Sequence, residues 1–302
     1  MNRNYDGMDH DEDDRDASYY DYLWCGPEDE EQEVVNIDDE QDGKFEHELD
    51  DLVFALDHID CNPNSPPLPA AALGDEASSR LHFRLLKRKY QIEFLRSPSP
   101  LDPLYAILVK VDLREKLDCD ELRTISKYHR EGSFQCVYIR LASDSENRFM
   151  DSLDYWEAVN ASKYWRTAKK PDKAIAFTEG LDEKIDASGY KVKAALLTTR
   201  AGAFRDQKVF DMAISLGLQA TKLFQTFHPY MLLGATCYQT GNPKSGDEYF
   251  SIAIRLGAKP AFKDYEIVKA VGEATEAEQR LSAEYLLQKD PIKYKWAAKY
   301  LH

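Results

Sequence analysis

The chain has 302 residues, of which 43% are hydrophobic, so it is long enough to bury a sizeable core in one large domain or two ordinary ones. Its five cysteines are scattered and odd in number, which argues against a disulfide framework and favours a reducing compartment. No apolar run approaches the roughly 18 residues that a membrane span needs, and the N-terminus lacks an apolar stretch of signal-peptide type. The composition therefore argues against a secreted or membrane-spanning protein and predicts a cytoplasmic one.

Charge divides the chain sharply. Residues 1–60 contain 23 acidic and 3 basic residues, whereas the remaining 242 residues contain 31 acidic and 36 basic residues. A segment so rich in charge and poor in apolar side chains cannot offset the entropy of ordering, so residues 1–61 are predicted to be an acidic, largely disordered tail. The rest of the chain is a mildly basic body.

One part of the acidic tail, residues 48–59, is amphipathic. Its apolar residues share one face at helical spacing, with carboxylates opposite. They are Leu49, Leu52, Val53, Leu56 and Ile59. Three interpretations stay open: a segment that only solubilises the chain, a docking segment that folds on a partner or on its own body, or a mimic of nucleic-acid charge.

Residues 62–76 are rich in proline and alanine and read as a linker, after which residues 77–150 are predicted to form a helical region. Ser78 and Ser79 are candidate caps for a helix over residues 80–95 that ends at the Ser-Pro repeat of residues 97–100. This helix is strongly basic, which is typical either of a solvated face or of a phosphate-contacting surface. The basic residues are Arg80, Arg84, Lys87, Arg88 and Lys89.

Two further helices and one ambiguous segment follow in this region. Asp102 and Pro103 are typical of a helix start, and the apolar positions predict that this helix continues to residue 117. Asp118 or Asp120 would cap the next short helix. Residues 135–141 are predicted to be helical, with a buried strand as the alternative.

From residue 151 to residue 260 the pattern is helical throughout and falls into hairpins. Residues 155–168 pair with 171–181, residues 190–205 with 206–224, and residues 228–260 contain two helices around the turn Gly241-Asn242-Pro243. In the last hairpin, small residues such as Gly234 and Gly246 recur where rings such as Phe250 would have to fit. Close packing of two helices requires this combination of small and large side chains.

Residues 261–302 are predicted to form capping helices that seal the open end of the array. Thr275 is the expected start of one helix, and Asp290-Pro291 of another. Trp296 is expected to pack inward.

The spacing Tyr230-x2-Leu233-Gly234-x2-Cys237, followed by Gly246-x3-Phe250, resembles the tetratricopeptide repeat. The resemblance covers residues 155–260, and Arg200 and Gly217 depart from the family pattern. It implies an all-α solenoid of helical hairpins whose first helices line a groove for a peptide or a partner helix. The groove residues that it implies are Lys163, Arg166, Thr198, Arg205, Met231 and Tyr238.

Three bases and an aromatic ring in such a groove favour an acidic or carboxylate-ended segment as ligand. No motif for nucleotide binding, nucleophilic catalysis or metal ligation occurs in the sequence, so neither an enzyme nor a cofactor is predicted. The expected function is that of a protein–protein interaction adaptor or a regulatory subunit of a larger complex. A further hypothesis is that its own acidic tail inhibits it. The alternatives are a nucleic-acid-associated accessory factor gated by the tail, or a chaperone for a secreted or unstable client.

Overall fold

A computed structural model describes residues 66–68, 76–92, 102–128, 134–186 and 189–301. Throughout these ranges the regular structure is helical, which confirms the all-α class for them. The acidic tail, including its amphipathic residues 48–59, lies outside the described residues. The thirteen α-helices in the described ranges are α1 (Glu76–Lys89), α2 (Pro103–Asp112), α3 (Cys119–Tyr128), α4 (Gln135–Ser152), α5 (Tyr155–Thr167), α6 (Pro171–Thr178), α7 (Leu181–Lys184), α8 (Tyr190–Asp206), α9 (Phe210–Leu223), α10 (Phe227–Gln239), α11 (Pro243–Arg255), α12 (Pro260–Glu273) and α13 (Glu276–Lys289), followed by a 3-10 helix (Lys295–Tyr300).

The chain divides into two compact units, Met1–Arg140 and Leu141–His302. In the first unit, α1 differs from the prediction at both ends. It begins at Glu76, so Ser78 and Ser79 lie inside the helix rather than at its cap. It ends at Lys89 and not at residue 95, because Gln91 adopts a left-handed backbone with φ of 55°.

Helix α2 begins as predicted and ends early. The Asp102 carboxylate accepts a hydrogen bond from the Leu104 backbone N–H at 2.9 Å, and Pro103 occupies the first turn, where it needs no hydrogen-bond partner. The helix ends at Asp112 rather than at residue 117, because Arg114 has a φ of 63° and turns the chain.

Helices α3 and α4 decide between alternatives that the sequence left open: which aspartate caps α3, and whether residues 135–141 are helix or strand. Asp118 is the cap of α3, since its carboxylate accepts from the backbone N–H groups of Asp120 and Glu121, each at 2.9 Å. Residues 135–141 belong to α4, an 18-residue helix, so the strand alternative is wrong.

Three helical hairpins follow in the second unit: α5 with α6, α8 with α9, and α10 with α11. Each first helix also packs against the first helix of the next pair, so that α5 contacts α8, α8 contacts α10, and α10 contacts α12. The observed ends differ slightly from the predicted ones, since α6 stops at Thr178 and α9 starts at Phe210.

The three hairpins close with the same backbone geometry. In each hairpin, the second residue after the end of the first helix has a left-handed backbone with positive φ. These residues are Lys169 (57°), Lys208 (62°) and Gly241 (70°). The residue after it donates its N–H to a carbonyl five positions back, at 2.9, 2.9 and 2.8 Å respectively. This is the hydrogen bonding of a Schellman motif, which also ends α1, α2 and α11 through the N–H groups of Ile92, Glu115 and Ala258.

The third hairpin packs through glycine against rings, as the sequence predicts. A Cβ atom added at Gly234 would lie 2.8 Å from the Phe250 ring, and one added at Gly246 would lie 2.6 Å from the Tyr238 ring. Both rings are fully buried. The ring that α10 contributes is therefore Tyr238, and the neighbouring Cys237 is a small buried residue beside it.

The C-terminal region follows the prediction up to Asp290 and differs from it beyond that residue. Thr275 forms a capping box at the start of α13, and the Asp290 carboxylate accepts from two backbone N–H groups, as an N-cap does. Only turns and the 3-10 helix follow, however. Trp296 is half-buried there, whereas Tyr294 and Ala297 are the side chains that pack inward.

Candidate functional site

Four of the six residues expected to line the groove are buried in the second unit. Met231 and Tyr238 on α10 have no exposed surface, and Thr198 and Arg205 on α8 are 8% and 4% exposed. The physical reason is that α10 is enclosed, since it packs against α8, α9, α11, α12 and α13. The prediction that these four residues lie on an open surface is therefore wrong. Lys163 and Arg166 on α5 remain partly exposed.

Arg205 forms a buried ion pair between α8 and α12. Its Nη1 lies 3.5 Å from Glu266 Oε2, and both side chains are less than a tenth exposed. Burial acts to lower the pKa of Arg205, but the carboxylates of Glu266 and Asp206 outweigh it, so the pKa is raised. This arginine is charged, internally neutralised and unavailable to an external carboxylate.

Arg166 is held in a second ion pair, between α5 and α8. Its guanidinium donates to both carboxylate oxygens of Asp206, with Nε–Oδ2 at 2.8 Å and Nη2–Oδ1 at 3.3 Å. The guanidinium occupies the space that a side chain at Gly202 would fill, since a Cβ atom there would lie 2.2 Å from Nη1. Burial acts to raise the pKa of Asp206, but Arg166 and Arg205 lower it further than burial raises it.

These contacts make a row of alternating charges across the first helices. From α5 to α12 the row runs Arg166, Asp206, Arg205 and Glu266. Its net charge is zero, because each arginine is matched by a carboxylate of the chain. Of the three bases expected to favour an acidic ligand in the groove, only Lys163 is outside this row, and its Nζ lies 5.9 Å from the centre of the Tyr164 ring.

A second polar cluster joins the last three helices around Asp247 on α11. The carboxylate accepts from Tyr285 Oη at 2.7 Å and from Lys289 on α13, and it lies 2.8 Å from Lys263 Nζ on α12. Burial acts to raise the pKa of Asp247, but these hydrogen bonds lower it below its usual value. The cluster fixes α12 and α13 against α11 and so closes the end of the array.

The basic helix α1 of the first unit also differs from its predicted role. Lys89 is 3% exposed, with Nζ 2.5 Å from Asp112 Oδ1 and donating to the Pro66 carbonyl at 2.8 Å. Asp112 in turn accepts from the Leu68 backbone N–H at 2.6 Å. Lys87 is also buried, with Nζ over the Phe83 ring.

Lys89 and Asp112 therefore hold residues 66–68 against α1 and α2. Neither Lys87 nor Lys89 contributes to an open basic surface, so the prediction is wrong for these two. Arg80 is exposed, and Arg84 and Arg88 are partly buried.

The described residues contain no group of three or more His, Cys, Asp or Glu side chains that could hold a metal ion. Burial raises the pKa of the Cys237 thiol to about 11, so it is protonated near neutral pH and is a weak nucleophile. Cys119 is a second free thiol, whereas Cys136 is disulfide-bonded, contrary to the argument against disulfides from the scattered, odd-numbered cysteines.

No helix in the described ranges is both long and apolar enough to cross a membrane.

The sequence interpretation missed the carboxylates that organise these clusters: Asp112, Asp206, Asp247 and Glu266. For Asp206 the sequence offered one local signal of an ion pair, because this carboxylate directly follows Arg205 at a helix end. The other partners are far apart in sequence and have no such signal.

No protein-family model matches this chain, and no solved structure matches its fold.

Proposed function

We propose that the chain is a protein–protein interaction adaptor or a regulatory subunit of a larger complex, acting in the cytoplasm. The observation that supports the proposal most is the succession of three helical hairpins whose first helices contact one another. Arrays of this kind expose one extended face per row of helices, and such faces bind peptides or partner helices. The resemblance to tetratricopeptide repeats points to the same role.

The partner would be a segment of another protein lying along the exposed side of α5 and α8. Lys163, Tyr155 and Trp156 on α5, and Tyr190 at the start of α8, are at least partly exposed and supply a cationic side chain and aromatic ones. Aromatic and basic side chains of this kind dominate binding at many protein interfaces. The acidic tail, with residues 48–59 as its amphipathic segment, would compete with an acidic partner and so regulate binding.

The nucleic-acid alternative loses support from the structure of α1. It depended on a continuous basic face, and two of the five bases, Lys87 and Lys89, are buried. If nucleic acid is nevertheless the ligand, recovery of partners from the native host will depend on nucleic acid.

An affinity purification from the native host, with mass spectrometry and with nuclease added to half of the sample, tests the adaptor role. We expect one protein partner whose recovery survives the nuclease. A second bait that lacks residues 1–61 should recover more of an acidic partner, because the internal competitor is gone. Recovery that depends on nucleic acid would contradict the adaptor role, and equal recovery by both baits would refute regulation by the tail.

A further inference from the structure

The disulfide bond of Cys136, in the first turn of α4, limits which cysteine can be its partner. Of the three cysteines within the described ranges, Cys119 and Cys237 are free thiols and Cys136 is disulfide-bonded. The sequence holds two others, Cys25 and Cys61, and both belong to the acidic tail. The partner of Cys136 is therefore one of these two residues.

Cys136 lies one helical turn from a residue of the buried cluster that holds residues 66–68. Arg140, four positions later on the same face of α4, donates from Nη2 to the Asp112 backbone carbonyl at 3.0 Å. Asp112 and Lys89 are the residues that hold 66–68 against α1 and α2. Cys136 and Arg140 are 8% and 2% exposed, so this turn of α4 is buried. One buried cluster thus connects the start of α4 with the first described residues after the tail.

Of the two tail cysteines, Cys61 has much the shorter tether to this cluster. Cys61 precedes Pro66 by five residues, whereas Cys25 precedes it by 41. Five residues reach at most about 17 Å, so Cys61 is confined to the neighbourhood of the cluster. Because the entropic cost of closing a loop grows with the logarithm of its length, the shorter tether favours Cys61 by roughly twentyfold.

We propose that Cys61 and Cys136 form a redox-controlled disulfide bond that attaches the end of the acidic tail to α4. When the two sulfur atoms join, their thiols give up two protons and two electrons. A disulfide oxidant such as oxidised glutathione takes these up and is split into two thiols. In a reducing compartment the bond is open until such an oxidant is present, and bonds of this kind usually sense redox state. Formation of the bond does not depend on the adaptor role.

Peptide mapping of the full chain tests the pairing, because trypsin places each of the five cysteines in a different peptide. The chain is incubated with oxidised glutathione, alkylated in denaturant and digested without reductant. The three peptides that decide the pairing are 16–44 with Cys25, 45–80 with Cys61, and 131–140 with Cys136.

We expect peptide 131–140 to be linked to peptide 45–80, and the two to separate when dithiothreitol is added. Non-reducing electrophoresis should show the oxidised chain as a monomer. A link between 131–140 and 16–44, alkylated Cys136 in the oxidised chain, or a disulfide-linked dimer would overturn the proposal.

Cys61→Ser and Cys25→Ser are a matched pair of variants, since each removes one thiol from the tail and leaves the buried Cys136 unchanged. They are compared in a glutathione buffer that leaves half of the unchanged chain linked. Cys61→Ser should lower the amount of 131–140 linked to any tail peptide at least tenfold, and Cys25→Ser should keep it within twofold. Equal amounts in the two variants would contradict the assignment of Cys61.

Redox control has its own measurement. An excess of reduced glutathione, added to the native oxidised chain, should release peptide 131–140 from peptide 45–80 and leave Cys136 open to alkylation in denaturant. A link that survives this treatment would refute redox control. Circular dichroism of both variants checks that the fold is kept.

Discussion

Gly246 illustrates how much of the third hairpin depends on a single missing side chain. It lies on α11 where the Tyr238 ring crosses from α10, and its nearest neighbours also include the Gly234 carbonyl, 3.0 Å from where a Cβ atom would lie. Neither a buried ring nor a helix backbone moves easily in a close-packed interior. The absence of a Cβ atom at this position therefore sets the distance between the two helices.

Gly246→Ala is expected to lower the free energy of unfolding by about 1–3 kcal/mol, the usual cost of overpacking a core. Gly272→Ala is the matched control, because Gly272 is also helical and the nearest atom to an added Cβ is 3.6 Å away. There, alanine should change stability by less than about 0.5 kcal/mol, because Gly272 is next to the last residue of α12 and gains less from helix propensity than a residue in a helix interior. Urea denaturation followed by circular dichroism measures both, and equal effects of the two substitutions would contradict the account.

At the scale of the elements, buried ion pairs connect helices that are distant in sequence. Arg205 and Glu266 are 61 residues apart and join α8 to α12, past the third hairpin. A buried pair of this kind contributes modestly to net stability, but removal of one partner leaves an uncompensated charge in the interior. The pair therefore constrains which helices can pack together.

Arg205→Met should destabilise the chain by about 3–5 kcal/mol, because Glu266 is left buried without its partner. The double variant Arg205→Met/Glu266→Met should recover most of that loss, since two apolar side chains of similar size replace the pair. Arg280→Met, which breaks an exposed pair with Glu284 on α13, should change the unfolding midpoint little. A double variant no more stable than the single one would show that the loss has another cause.

Local sequence patterns predicted the helices and the turns between them. They did not predict the ion pairs and the packing between helices that are distant in sequence. The third hairpin was predictable because Gly241, Pro243 and the alternation of glycine with rings are all local signals. The end of α1 was not, because Gln91 adopts a left-handed backbone without the glycine that usually marks one. The groove residues were misplaced because burial of α10 depends on five other helices.

At the scale of the whole molecule, the second unit combines a neutral interior with charged exposed ends. The inner row of arginines and carboxylates is self-compensated, so specificity for a partner would come from exposed residues on either side of it. Lys163 on α5 is one such residue.

Quantitative recovery of the protein partner by two single-residue baits tests the adaptor role most directly. Lys163→Glu reverses a charge on a first helix, and Lys222→Glu makes the same change on α9, the second helix of a hairpin. If the partner lies along the first helices, Lys163→Glu should reduce its recovery at least tenfold in nuclease-treated samples, and Lys222→Glu should leave it unchanged. Equal recovery by the two baits would contradict the account.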